Sequence, residues 1–206
     1  MKMFLNDIRQ ILKKIFTNIC KLYFKMFFKN IGKHTEIHQS LEFYDPIKIS
    51  IGDNCVIKKN VTLKGRSVKE IGLFIGKGVS IRENSNIDSY MGYVRIDDYC
   101  ALGHNCFIGG QGGVSIGKYT MIGGKTYIIS SNHKFDKNDI PYMMQGENVA
   151  EIKIGNNVWI GANCVILPGV QIGDNCVVGA GSVVTRSFES NQVIAGNPAL
   201  PIKTIK

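Results

Sequence analysis

The chain holds no uninterrupted apolar run of the roughly 18 residues that a bilayer-crossing helix requires. Its first residues show no short apolar core followed by a small-residue cleavage site, so no signal peptide is read and a cytoplasmic protein is expected. No CxxC pair and no Cys/His cluster occurs, which argues against a zinc site, and no metal is expected. Histidine is scarce, with four residues, and tryptophan occurs once. Acidic residues are outnumbered, 16 against 25 basic, for a net charge of +9. That excess is concentrated: residues 1–29 carry seven basic side chains against Asp7, or +6, and the remaining +3 is spread over the rest of the chain. Such a distribution gives no nucleic-acid patch.

A period of six is the dominant positive feature. From Ile154 the chain reads IGNNVW, IGANCV, ILPGVQ, IGDNCV and VGAGSV before Val184. Each unit opens on an aliphatic residue, usually follows it with glycine, and has a small or β-branched residue at its fifth place. A fixed internal period signals stacked repeats that bury one another's apolar faces. The count of 23 glycines follows from it. Five of six cysteines, Cys55, Cys100, Cys106, Cys164 and Cys176, fall at the fifth place, where other units have Ser, Thr, Val or Ala. They read as small buried hydrophobes in a reducing compartment.

The period begins near Ile31 and breaks mostly after three units, which gives an 18-residue coil with three short faces. Each hexamer supplies one strand with its first residue inward, and glycine or another turn-tolerant residue helps the chain round the corner. The expected object is an all-β triangular prism, a parallel β-helix over residues 31–190, with a protruding loop at 131–153 and a C-terminal tail at 191–206. Before it, residues 1–30 place Phe4, Leu5, Ile8, Ile11, Leu12, Ile15, Phe16, Ile19, Leu22, Tyr23, Met26 and Phe27 at helical spacing with lysines between. This amphipathic α-helical segment either packs on the protein or a sister subunit, or lies on an anionic membrane surface through residues 1–29. The second alternative makes the protein peripheral at the inner face of the membrane.

The hexapeptide run, NNVWIG at Asn156–Gly161, GAGSVVT at Gly179–Thr185 and AGNPA at Ala195–Ala199 resemble the left-handed parallel β-helix acyltransferases. The maltose, galactoside and nodulation O-acetyltransferases and the capsule and O-antigen acetyltransferases are the nearest branches. The resemblance covers about residues 31–205. It implies left-handedness, against the general right-handed rule for parallel crossovers. It also implies acetyl-CoA as donor and a homotrimer with sites between subunits.

Acetyl transfer to a hydroxyl needs a base for the acceptor's proton, and imidazole suits that near neutral pH. His133, in SSNHKFD, lies where the regular coil gives way to the longest non-repeating loop, the place at which similar enzymes carry their catalytic histidine. A backbone carbonyl or a loop carboxylate, with Asp136, Asp139 and Glu147 as candidates, is needed to fix its tautomer. Trp159, at an outward sixth place, matches a tryptophan that lines the acceptor or cofactor groove. The acceptor-orienting asparagine of galactoside-type enzymes, 30 residues before the histidine, corresponds to Gly103, so Asn105 or His104 takes that role or the acceptor is held differently. Coenzyme A contacts carry over to Gly161, Ala162, Ala180, Thr185, Arg186 and Lys203, the last two for phosphate.

The expected function is O-acetylation of a sugar or glycan precursor. Three alternatives stay open. One is acetylation of an amino sugar, serine or a drug on the same fold, and another is a non-catalytic scaffold. The third is a zinc carbonic anhydrase, which needs three histidines meeting at an interface, whereas His34 and His38 lie far along the chain from His104 and His133.

Overall fold

The computed structural model describes Ile19 and residues 22–205. The six-residue period folds into a parallel β-helix with three sheet faces. The first face stacks seven strands, from Asn30–Ile31 to Gln171–Ile172. The second stacks nine, from Glu36–Ile37 through Gln192–Gly196 and a final antiparallel strand, Ala199–Thr204. The third stacks seven, from Glu42–Tyr44 to Val183–Val184. Register sets inward residue on inward residue: Ile51 on Ile75, Ile96 on Ile116, Ile122 on Ile160, Ile128 on Ile166. These columns form one continuous apolar core.

The corners divide their work differently from the sequence expectation. The turn is made at the fourth place of the hexamer, where Asn54, Asn84, Asn105, Asn163 and Asn175 have φ between 56° and 61°. Asparagine tolerates this left-handed conformation better than most residues. The second-place glycine serves close approach between coils: a Cβ on Gly161 would lie 2.5 Å from the Ala180 nitrogen, and one on Gly123 2.4 Å from the Ala162 nitrogen. Glycine at the second place thus spaces the stack, while at the fourth place asparagine or, at Gly78, Gly169 and Gly181, glycine turns the chain.

The fifth place is buried, and it is also a donor position. Cys55 and Cys100 Sγ each lie 3.0 Å from the second-place carbonyl of the next coil, at Gly76 and Gly117. Thr120 and Thr126 Oγ1 make the same bond to Gly155 and Gly161 at 2.9 and 3.1 Å. The five described cysteines are free and buried. Burial pushes their thiols up, that of Cys100 to about 11. Their packing therefore includes satisfying a backbone acceptor that a valine would leave bare.

Residues 22–27 are helical. Phe24 and Phe28 are 4% and 6% exposed and meet Phe43 edge-on or tilted, with centroids 5.8 and 5.1 Å away. This aromatic cluster closes the N-terminal mouth of the prism. The rest of the amphipathic segment, residues 1–18 with Cys20 and Lys21, lies outside the described residues.

Three boundaries differ from the expected ones. Asn30 already belongs to the first strand, because its backbone pairs with Ser50. The protrusion gives way to Ile152–Ile154, a regular strand paired with Val114–Ile116. The segment expected as a tail is a hairpin whose first strand, Gln192–Gly196, extends the second face beside Val177–Val178.

Candidate active site

His133 ends a strand, Ser131–His133, that leaves the corner between the third and first faces and pairs antiparallel with Glu147–Val149. The pairing sets His133 opposite Glu147. Beyond it the tip is braced by Gln145, whose amide donates to the Lys137 and Ile140 carbonyls at 2.6 and 2.7 Å. A 3-10 turn at Tyr142–Met144 follows, and Phe135, Tyr142, Met143 and Met144 are all exposed on this arm. His133 itself is exposed. Of the three acids singled out from sequence, Glu147 alone is its cross-strand partner, and the Gln111 amide donates to the Glu147 carboxylate.

A different corner, between the second and third faces, carries His104, Asn105, Ala162 and Ala180. Gly103 is packed so that a Cβ would lie 2.4 Å from the Gly124 nitrogen, so an asparagine side chain has no room at 103. Asn105, at φ 56°, is the corner residue of the same coil and is exposed. His104 Nδ1 lies 2.9 Å from Glu83 Oε2, a contact between a half-exposed ring and a shielded carboxyl that is ionic when the imidazole is protonated. The Glu83 carboxyl titrates below its ordinary value, chiefly because its own backbone N–H donates to it, with the Arg82 and His104 charges adding to the effect. Along this corner the third-place side chains shrink from Glu83 and His104 to Gly124, Ala162 and Ala180. At the third place the last coils therefore present nothing larger than a methyl group, beside the exposed fourth-place Lys125 and Asn163, and a slender ligand arm can approach the main chain there.

Trp159 projects from the second face, 54% exposed, between Met121 and Val177 in register. Gly161 follows two residues later, at the close-packed second place. Thr185 and Arg186 are exposed just after the last third-face strand, and the Arg186 guanidinium lies 5.5 Å from the Phe188 ring centre. Lys203, exposed on the final strand, pairs with Val193. Within one chain, then, His133 stands at one corner and His104, Asn105, Ala162 and Ala180 at another, with the third face between them.

Sequence reasoning missed a buried charge cluster beside the hairpin. The Asp88 carboxylate is fully buried, with Arg66 Nη2 at 2.8 Å and Lys64 Nζ at 3.2 Å, and it accepts the Tyr90 N–H at 2.9 Å. Tyr90 and Met91 are held at φ 45° and 70°, uncommon for bulky residues. A cavity of about 310 Å³ opens between Arg66, Tyr90, Met91, Gln111 and Glu147. The only signal in the sequence was the break in period at DSYMGY. Among the described residues no group of three or more His, Cys, Asp or Glu is placed to hold a metal ion.

The model of the family described as bacterial transferase hexapeptide (six repeats) matches residues 151–186, and that of the hexapeptide repeat of succinyl-transferase matches 48–64. The galactoside O-acetyltransferase of Escherichia coli K12 is 30% identical over 161 residues, 78% of this chain and 71% of the relative. An E. coli K12 protein provisionally named as the colanic acid biosynthesis acetyltransferase WcaF is 33% identical over 132 residues, 64% and 69% of the two chains. The chain belongs to the hexapeptide-repeat acetyltransferases. Among solved structures of the family's fold, the N-acyltransferase AntD of Bacillus cereus, in complex with dTDP and 3-hydroxybutyryl-CoA, superposes with a TM-score of 0.64 at 25% identity, covering 90% of this chain and 88% of AntD. The hexapeptide-repeat acetyltransferase described here thus shares with AntD nearly its whole length.

Proposed function

We propose that this acetyltransferase uses acetyl-CoA to O-acetylate a hydroxyl of a sugar or glycan precursor, with His133 as general base. The observation that carries the reading is the hairpin: the regular coil ends by projecting one exposed imidazole, backed by Glu147 on the opposite strand. Glu147 is the acid best placed to orient the ring, and His133 takes the acceptor's O–H proton as the oxygen attacks the thioester carbonyl carbon. The C–S bond then breaks, and the coenzyme A thiolate leaves and receives the proton. Backbone N–H groups hold the transient oxyanion.

The donor fits the methyl-lined corner, with its arm along Gly161, Ala162 and Ala180 beside Trp159 and Thr185, and its phosphates toward Arg186 and Lys203. His104 and Asn105 line the acceptor side. Because the base and the donor corner lie on opposite edges of the third face, a complete site draws its two halves from neighbouring subunits, and a homotrimer supplies three such sites. The exposed apolar face of the N-terminal helix favours a peripheral position at the inner face of the membrane, through residues 1–29.

His133→Ala is expected to lower transfer about several hundredfold, within the range that general-base removal usually costs, while coenzyme A binding is retained. Near-normal turnover would refute the assignment. A second reading, N-acetylation of an amino sugar, is favoured by the AntD complex with dTDP-4-amino-4,6-dideoxyglucose and coenzyme A, superposed with a TM-score of 0.63 at 25% identity. Matched hydroxyl and amine acceptors, compared by thiol release, separate the two.

A further inference from the structure

The corner that carries His133 continues to the N-terminal end of the prism, where its character changes. Ile47, in the turn before the second coil, and Val68, in the bulge after it, are 67% and 79% exposed. They line one cavity of about 550 Å³ with Met26 and Phe27 of the helix, so three separate stretches of chain converge on a single apolar surface. Leu22 and Tyr23 extend it along the helix. An apolar patch of this kind, contributed by several elements, marks an interaction site rather than scattered surface hydrophobes.

Its rim is basic. Lys29, Lys48 and Lys69 line the cavity against Glu70, a net +2. Lys29 Nζ lies 2.8 Å from Glu70, the Lys48 ammonium donates to the Ser67 carbonyl, and Lys69 Nζ sits 3.7 Å over the Tyr93 ring. These contacts hold the ammonium groups around the patch. The segment leading into it, residues 1–29, carries +6. Two copies meeting through this surface would bring like charges together, whereas an anionic lipid surface complements both the apolar centre and the basic rim.

From Val68 the corner climbs through three coils to His133, past the Arg66, Tyr90 and Glu147 cavity. At the strand spacing of a sheet, three coils are about 15 Å. We infer that the protein docks on an anionic bilayer through its N-terminal helix together with Ile47 and Val68, holding His133 within reach of a saccharide displayed on a lipid carrier. The inference deepens the peripheral reading of residues 1–29 by adding the prism itself to the contact and by orienting the catalytic corner.

The test is co-sedimentation of the full chain with phosphatidylcholine vesicles, with and without phosphatidylglycerol, for wild type and an Ile47→Glu/Val68→Glu variant. Both positions are exposed, so folding is preserved, and circular dichroism checks it. Wild type is expected to pellet with the phosphatidylglycerol vesicles alone, and the double variant to partition at least about tenfold less, given the apolar area withdrawn. Equal binding of the two proteins, binding indifferent to phosphatidylglycerol, or no binding by wild type overturns the inference. A concentration-dependent increase in mass that the variant abolishes, without vesicle binding, assigns the patch to a second copy and equally overturns it. Vesicle binding needs no turnover, so its failure leaves the His133 assignment to stand or fall on its own assay.

Discussion

The stretch from Ile154 to Val184 and the arm from Ser131 to Val149 are neighbours in the chain and opposites in construction. In the first, every sixth residue is locked between coils: Ile160 and Ile166 are fully buried, and glycine at 161 meets backbone at 2.5 Å. In the second, two three-residue strands carry a tip whose large side chains face solvent. The repeat converts sequence into position with little freedom, while the arm hangs from the corner and can vary without disturbing the stack beneath it. The regular architecture is thereby separated from the one stretch free to vary.

Substitutions graded by effect test how sharp that separation is. Ile108→Ala, in the fully buried third-face column, is expected to cost about 2–5 kcal/mol in denaturant unfolding. Gly161→Ala should cost about 1–3 kcal/mol, since the added methyl meets the Ala180 backbone and the coils must part. Asn163→Ala, at φ 56°, is expected to lose about 1 kcal/mol through the left-handed penalty alone.

Alkali should act on the prism as well. The Cys100 thiol is raised from 9.0 to about 11 by burial, so the unfolded chain loses its proton first. The associated stability is complete below pH about 9 and declines as pH rises toward about 11, visible as a falling melting temperature that a Cys100→Ser variant shows less strongly. On the arm, Met143→Ser, at a side chain 80% exposed, should shift stability by no more than about 0.5 kcal/mol while altering KM for the acceptor. A large stability loss there would break the comparison.

The fold was legible because a six-residue period repeated over many coils calls for a prism that buries its aliphatic column, while its expected hand came only from the motif resemblance. The period itself did not reveal why glycine fills the second place while asparagine or glycine turns the chain at the fourth. That division depends on distances between coils, such as Gly123 to Ala162, which adjacent residues cannot encode. The fifth-place cysteines were recognisable as buried, yet their bonds to the next coil's carbonyls required the stack. At the site, His133 stood out by rarity and by its place at the break in period, and Glu147 was one of three acids until strand pairing set it opposite. The Arg66, Asp88 and Lys64 cluster spans two coils, so the break in period at DSYMGY marked its place but not its partners.

A stack of identical coils has no intrinsic reason to stop, and each end presents unpaired strand edges to which another molecule could add. Here each end carries one device against such addition. Phe24 and Phe28 cap the first coil, and at the far end the chain turns back at Ala199–Thr204 to run against the direction of every other strand on its face. An antiparallel edge cannot template the next parallel strand of its face, and the aromatic cluster covers the core at the opposite mouth. The consequence is that the second face offers no parallel edge for a further coil to extend, which works against fibre growth in a repeat otherwise suited to it.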